Sequence, residues 1–228
     1  MEFFKILYGS FILIFSFDYD LFEIIILSLK SSCLATLIAS VFGIFTGYFL
    51  SISKTKLSNF THIILSSLTG IPPVVAGLIV YFIFSKDGPL GVFSIIYTPY
   101  AIVIAQIVIV FPIISSLTKV LFDDFRLHYN DTLKTYNFAW NAIMYLFIRN
   151  NRILLISIFL NGFGRAISEV GAVMIVGGNI EHYTRVMTSA ITLETSMGNL
   201  QKAMSLGIIL ILITMSINIF SFKLNKSI

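Results

Sequence analysis

Arg165 and Glu169 stand four residues apart in NGFGRAISEVGAVMIVGGNI, residues 161–180, a stretch otherwise dominated by apolar and small side chains. At that spacing on a helix a guanidinium and a carboxylate lie one turn apart and can neutralise each other. Either charge alone is expensive inside a membrane, so the pair must face protein or water. Two roles fit: a gate or path element at a helix interface, or a clasp holding two helices together. A neutralised pair offers an anion little net attraction, which weighs towards the clasp. Gly164, Ser168 and Ala172, spaced four apart with Gly171 alongside, give a neighbouring small-residue face on which another helix can approach closely. Acid–base or metal chemistry would fall to His62, His128 and His182. All three lie in loops or near span ends, without an H-E-x-x-H pattern or clustered carboxylates, which disfavours a membrane-embedded enzyme.

The elements that must position these residues follow from composition. Of 228 residues, 57% are hydrophobic and 11% charged, the balance of an integral membrane protein. Charge-free runs at 31–53, 57–85, 88–118 and 203–222 each reach the ~20 residues that a spanning helix needs. Residues 153–178 make a fifth run, interrupted only by Arg165 and Glu169. The runs do not alternate apolar with polar residues, so a closed β-barrel is disfavoured. The expected fold is all-α: a polytopic membrane protein with about five core spans in residues 21–222 and a cytoplasmic tail at 223–228. Residues 1–20 are expected to form a short interfacial helix or an extra membrane segment. They carry Glu2 and Lys5 and lack a small-x-small cleavage pattern, so a signal peptide is the weaker reading. The one cysteine, Cys33, reads as a small packing residue.

If the first core span runs from outside to inside, Lys54, Lys56, Lys119, Arg126, Lys134, Arg149, Arg152, Lys223 and Lys226 fall in the cytoplasm. Lys5, Lys86, Arg185 and Lys202 fall outside, and nine against four obeys the positive-inside rule. Glu2, Asp18, Asp20, Glu23, Asp87, Glu181 and Glu194 all fall outside as well. The net charge of +4 is thus a feature of membrane topology and calls for no nucleic-acid partner. One substantial loop, 122–152, faces the cytoplasm. In it Asn130 and Asp131 are suited to N-cap a short helix and Asn137 to end one in the left-handed conformation. Phe138, Trp140, Ile143, Met144 and Phe147 then form the apolar face of an amphipathic helix. Leu133 and Tyr136, exposed on the short helix, would make a docking knob; the alternative is a connector packed on its own bundle. In the second span Gly70, Pro72 and Pro73 predict a kink or break, either static or lining a transport path. Pro112 predicts a second kink, and Thr98 with Pro99 the start of the third span.

Four segments, LSLKSSCLATLIASVFGIFTGYFL, GIPPVVAGLIVYFIFSKDGPLG, YTPYAIVIAQIVIVFPI and GFGRAISEVGAVMIVGGNIEHYTRVMTSAI, together resemble the permease subunit of ATP-binding-cassette importers for tungstate. They resemble the molybdate and sulfate permeases less closely. The resemblance covers nearly all of residues 27–213 and is most specific in GRAISEVGAVMIVGGNI; the Pro-Pro segment is shared with molybdate permeases. It implies a type I importer permease that works as a homodimer in a bacterial or archaeal cytoplasmic (inner) membrane. It also implies a cytoplasmic ABC ATPase dimer that binds ATP and Mg, and an extracytoplasmic oxyanion-binding protein, with no cofactor or metal on this chain. In that family the coupling helix carries E-A-A, three residues, then G. Here Asp131, Thr132 and Leu133 stand at E-A-A and Asn137 at the glycine, which makes Asp131, Leu133, Tyr136 and Asn137 the expected coupling residues. Pro72, Pro73, Arg165, Glu169 and Gly171 are the candidates for the path or gate. No G-x-x-x-x-G-K-[ST] loop occurs in the chain, so ATP must be hydrolysed elsewhere. Closure of the ATPase partners would move the two coupling helices and switch the dimer between outward- and inward-facing states. Import of molybdate or sulfate is the nearer alternative. A dimeric secondary transporter is the more distant one, and no internal repeat supports it.

Overall fold

The structure, a computed structural model, describes residues 2–16, 18–53, 55–135 and 139–226. Among these the chain forms ten α-helices and no strand. They are α1 Glu2–Phe15, α2 Tyr19–Ile52, α3 Lys56–Leu68, α4 Pro73–Phe84, α5 Pro99–Thr135, α6 Trp140–Asn150, α7 Arg152–Ile167, α8 Gly171–Gly177, α9 Met187–Ser196 and α10 Leu200–Lys226. Three of them, α2, α5 and α10, are long and apolar enough to cross a membrane unaided. Two further apolar pairs are bent, α3 with α4 by 109° and α6 with α7 by 76°, so up to five spans are available. The all-α polytopic architecture is the one expected.

Helices α2 and α5 pack along each other as the spine. Asp18 starts α2 by accepting a hydrogen bond from Leu21 N at 3.1 Å. The buried face of α2 is made of small residues, among them Ser28, Ser32, Ala35, Ala39, Gly43 and Gly47. A Cβ at Gly47 would lie 2.7 Å from Ser115 O and 2.8 Å from Thr118 Cβ, so any larger residue would push the two helices apart. Helix α5 opens at Pro99 as expected and continues through the buried Pro112 without ending.

Three expectations are corrected. Residues 122–135 are not loop but the continuation of α5, whose 37 residues span about 55 Å at 1.5 Å per residue. No glycine or proline lies between Pro112 and Asn137 to stop it, and it outruns a hydrocarbon core of about 30 Å. For the same reason Asn130 and Asp131 do not cap a new helix: Asp131 lies about one turn before the end of α5, with Leu133 beyond it. Tyr136, Asn137 and Phe138 lie outside the described residues. Finally, residues 153–178 are not one helix, because α7 stops at Ile167 and α8 begins at Gly171. Helix α6 buries Phe147 fully and packs Ile143 and Met144 on the core as expected, but Trp140, expected on the same apolar face, is exposed.

Helix α1, about 21 Å long, is too short to cross the hydrocarbon core. It packs across the start of α10, where Ser10 Oγ donates to Gln201 O at 3.0 Å and Ser205 Oγ donates to Ser10 O at 3.2 Å. Charged side chains gather at the two ends of α2. Asp20, Glu23, His182 and Lys202 gather about the first turns of α2, and Lys119, Asp123 and Arg126 about its last.

Candidate functional site

Two interrupted helices meet at their interruptions. Between α3 and α4 the backbone turns through Thr69–Pro72, with Gly70 N donating to Ser67 O at 3.2 Å and Ile71 N to Leu68 O at 3.1 Å. Pro72 is extended (φ −60°, ψ 127°), and Pro73 is the first residue of α4, where a helix needs no donor. The prolines therefore open a new helix after a 109° break, the broken form of the kink or break expected from the sequence. Helix α4 then crosses α8 with backbones almost touching: a Cβ at Gly77 would lie 2.6 Å from Ala172 Cα, and one at Gly171 would lie 2.5 Å from Val74 Cγ2. The expected small-residue face is accordingly split. Gly171 and Ala172 receive α4, whereas Ser168 is exposed and a Cβ at Gly164 would meet nothing within 4 Å.

The gap between α7 and α8 holds the ion pair. Ser168 Oγ bonds back to Gly164 O at 2.9 Å and to Arg165 O at 3.1 Å, a local alternative to continuing the helix. Ala166 O accepts from Glu169 N at 3.3 Å and from Gln106 Nε2 of α5 at 3.0 Å. The same Nε2 donates to Ser32 Oγ of α2 at 3.1 Å, and Thr188 Oγ1 of α9 donates to Glu169 O at 2.7 Å. Arg165 Nη2 lies 2.9 Å from Glu169 Oε1, yet the two side chains differ sharply in exposure, 39% for Arg165 and 2% for Glu169. That contact lies off the N–H direction. Glu169 Oε1 and Gln106 Oε1 both accept no hydrogen bond among the described residues. The pair thus forms at a helix break and not along a helix face, with the carboxylate turned inward and the guanidinium on the open side. Pro72, Pro73 and Gly171 are brought to the same junction through Val74.

At the far end of α2 a different kind of site appears. Phe122 is fully buried between Tyr48 and Phe147, with ring centroids 4.7 Å from each, and Phe125 adds a further edge contact to Phe147 at 5.7 Å. Tyr48 Oη donates to Trp140 O at 2.8 Å, tying α6 to α2. Asp123 accepts from Ser51 Oγ and from Lys119 Nζ, the latter at 2.6 Å, while Arg126 Nη1 donates to Ser51 O at 2.8 Å. This cluster fixes the emergent part of α5 that leads to Asp131 and Leu133. At the opposite rim His182 Nδ1 lies 2.6 Å from Glu23 Oε2, and that hydrogen bond together with the carboxylate's charge raises the imidazole above its ordinary pKa. His62, His128 and His182 are not brought together, and no group of three or more metal-ligating side chains exists among the described residues.

Sequence reasoning missed Gln106, Ser32 and Thr188. The available signal was Gln106, the one side-chain amide in the charge-free run 88–118.

No protein-family model matches the chain. It is 39% identical over 214 residues to the tungstate uptake system permease protein TupB of Peptoclostridium acidaminophilum, covering 94% of each chain. The chain belongs to the tungstate-uptake permease family. A second member, from Campylobacter jejuni, is 32% identical over 94% of this chain and 90% of its own. A "Probable anion ABC transporter permease protein" of Haloferax volcanii is 34% identical over 68% of this chain and 69% of its own. The protein is therefore a multi-pass permease of the cytoplasmic membrane, the membrane component of an ABC importer for an oxyanion. Permeases of this family are transport subunits and not themselves enzymes.

Proposed function

We propose that this permease carries tungstate through a path shared by two copies of the chain. A separate ABC ATPase pair, holding ATP and Mg, drives the opening, and an extracytoplasmic oxyanion-binding protein delivers the cargo. The observation that carries the path assignment is that the break between α3 and α4 and the gap between α7 and α8 meet where α4 crosses α8, beside Arg165 and Glu169. Backbone breaks at membrane depth are tolerated where they are buried in protein or line a cavity, and transporters place their cargo route there. Pro72, Pro73, Arg165, Glu169 and Gly171 form this gate. Asp131, Leu133, Tyr136 and Asn137 form the contact with the ATPase. Helix α5 carries Gln106 near its start and Asp131 near its end, with Pro112 between them, and so links the ATPase contact to the junction within one helix.

The test is uptake into proteoliposomes that contain the permease, its ATPase and the binding protein. ATP-dependent accumulation of tungstate, reduced by unlabelled tungstate more strongly than by molybdate, is the expected result. Accumulation that needs no ATP would identify a secondary transporter instead, and equal competition by molybdate would widen the cargo to both oxyanions.

A further inference from the structure

We infer that Gln106 and Thr188 are the positioning residues of the Arg165–Glu169 pair: from α5 and α9 they hold open the break between α7 and α8 that turns Glu169 inward and leaves Arg165 facing the path. In an uninterrupted helix Ala166 O would accept from Val170 N, and Glu169 O from Val173 N. Those two carbonyls are the ones that other helices satisfy here. Gln106 Nε2 donates to Ala166 O at 3.0 Å and Thr188 Oγ1 to Glu169 O at 2.7 Å, and both side chains are buried. At Ala166 O the Gln106 amide adds to the 3.3 Å bond from Glu169 N, and at Glu169 O the Thr188 hydroxyl takes the place of the next-turn donor, so both carbonyls at the break are satisfied with the helix interrupted at Ser168. Ser32 Oγ accepts from the same Nε2 at 3.1 Å and fixes the plane of the amide. Thr188 opens the first turn of α9, whose Met187 N is itself held by Ser28 Oγ of α2 at 2.7 Å. The break is therefore specified by α2, α5 and α9 together.

Deleting either donor favours closure of the α7–α8 gap into one helix, where residues 165 and 169 would share a face. This inference rests on the path assignment for Arg165 and Glu169, so its test includes an arm for that assignment. The complete complex is reconstituted with Gln106→Leu, Thr188→Val, Thr188→Ser or Arg165→Gln. Tungstate moved per ATP hydrolysed, basal ATPase rate and the amount of assembled complex are measured for each. Gln106→Leu and Thr188→Val should lower the anions moved per ATP by roughly tenfold or more, as misplacement of a working group by about 1 Å does. Basal hydrolysis per complex should stay unchanged, and Thr188→Ser, which keeps the hydroxyl, should restore the ratio. Loss of packing alone would lower complex yield without changing the ratio per complex. A wild-type ratio in Thr188→Val, or an equal loss in Thr188→Val and Thr188→Ser, overturns the inference, and this holds even if Gln106→Leu fails to assemble. Wild-type transport by Arg165→Gln removes the path assignment itself. Loss in Arg165→Gln with retention in both donor variants removes only the positioning role.

Discussion

Near the end of α2, Tyr48 packs with Phe122, Phe125 and Phe147 into a cluster whose central ring is fully buried. Sixteen residues earlier on the same helix Ser32 faces Gln106, whose carbonyl oxygen accepts no hydrogen bond among the described residues. The aromatic cluster is closed by edge-to-face contacts and by hydrogen bonds to backbone carbonyls, an arrangement with a single good packing. The junction is closed by side chains that stand in for missing backbone donors; among the described residues Gln106 Oε1 accepts no hydrogen bond, and Glu169 Oε1 is held by the charge of Arg165 alone. A buried polar atom left without a hydrogen bond, such as Gln106 Oε1, costs about 1–3 kcal/mol in lost solvation. Helix α2 thus carries a tightly packed aromatic grip near its end and a less fully satisfied polar junction near its middle, and under the function proposed above a displacement at the grip would be taken up at the junction.

The widest separation between the two regions should come from Phe122→Ala. Truncating a fully buried aromatic side chain costs about 3–5 kcal/mol, read as a fall in the thermal unfolding temperature in detergent. Gln106→Leu should lose less stability than that and more transport. Equal unfolding temperatures for the two variants would erase the contrast.

The ion pair comes next. Glu169→Gln leaves Arg165 without its charge partner, but the guanidinium is 39% exposed and solvent takes up part of the loss, so the expected cost is about 1–3 kcal/mol. Replacing Arg165 by Met together with Glu169 by Leu should give a dimer yield closer to the parent, with uptake lost in both variants. Equal yields with uptake intact would mean that the pair is neither clasp nor gate.

Smaller effects sharpen the comparison. Changing Pro72 and Pro73 to Ala frees the unfolded chain and should cost about 0.4–1 kcal/mol per site, because α4 stays docked on α8 at Gly77 and Ala172. Membrane insertion should be normal and uptake slower; normal uptake would mark the break as packing alone. Asp131→Lys carries a sign that the fold reverses. Near the C-terminal end of α5 a cation is favoured by the helix dipole, by about 0.3–1 kcal/mol, so the helix should be no less stable while stimulation of ATP hydrolysis by loaded binding protein falls. Undiminished stimulation would move the coupling contact elsewhere.

The smallest effect belongs to the outer rim. His182 has a raised pKa in the folded protein because Glu23 accepts its hydrogen bond and attracts its charge. Its contribution is therefore complete below the ordinary histidine value of about 6.5 and fades as pH rises through the higher folded value. Titration of the His182 ring by NMR should show this raised midpoint, and Glu23→Gln should return it towards the ordinary value. An unchanged midpoint in Glu23→Gln would assign the shift to other groups.

Much of the fold was legible in the amino-acid sequence alone. Charge-free runs, lysine and arginine counts and the Pro-Pro step determined an all-helical membrane protein, its number of spans and the interruption at residues 69–72, since these depend on the transfer of side chains between water and lipid and on backbone chemistry local to a few residues. The same local chemistry made residues 153–178 look like one span and residues 130–131 like a helix start. The first inference failed for want of partners distant in sequence, the second because nothing local stops α5 before residue 136. Helix α5 continues past residue 122 because no glycine or proline stops it, and Tyr48, Phe147 and Ser51 then grip it from other elements, whereas at the α7–α8 break Gln106 and Thr188, distant in sequence, donate to the carbonyls of residues 166 and 169. Whether a buried carbonyl is satisfied by its own helix or by a side chain from elsewhere in the chain is a property of packing, and only the tertiary structure decides it.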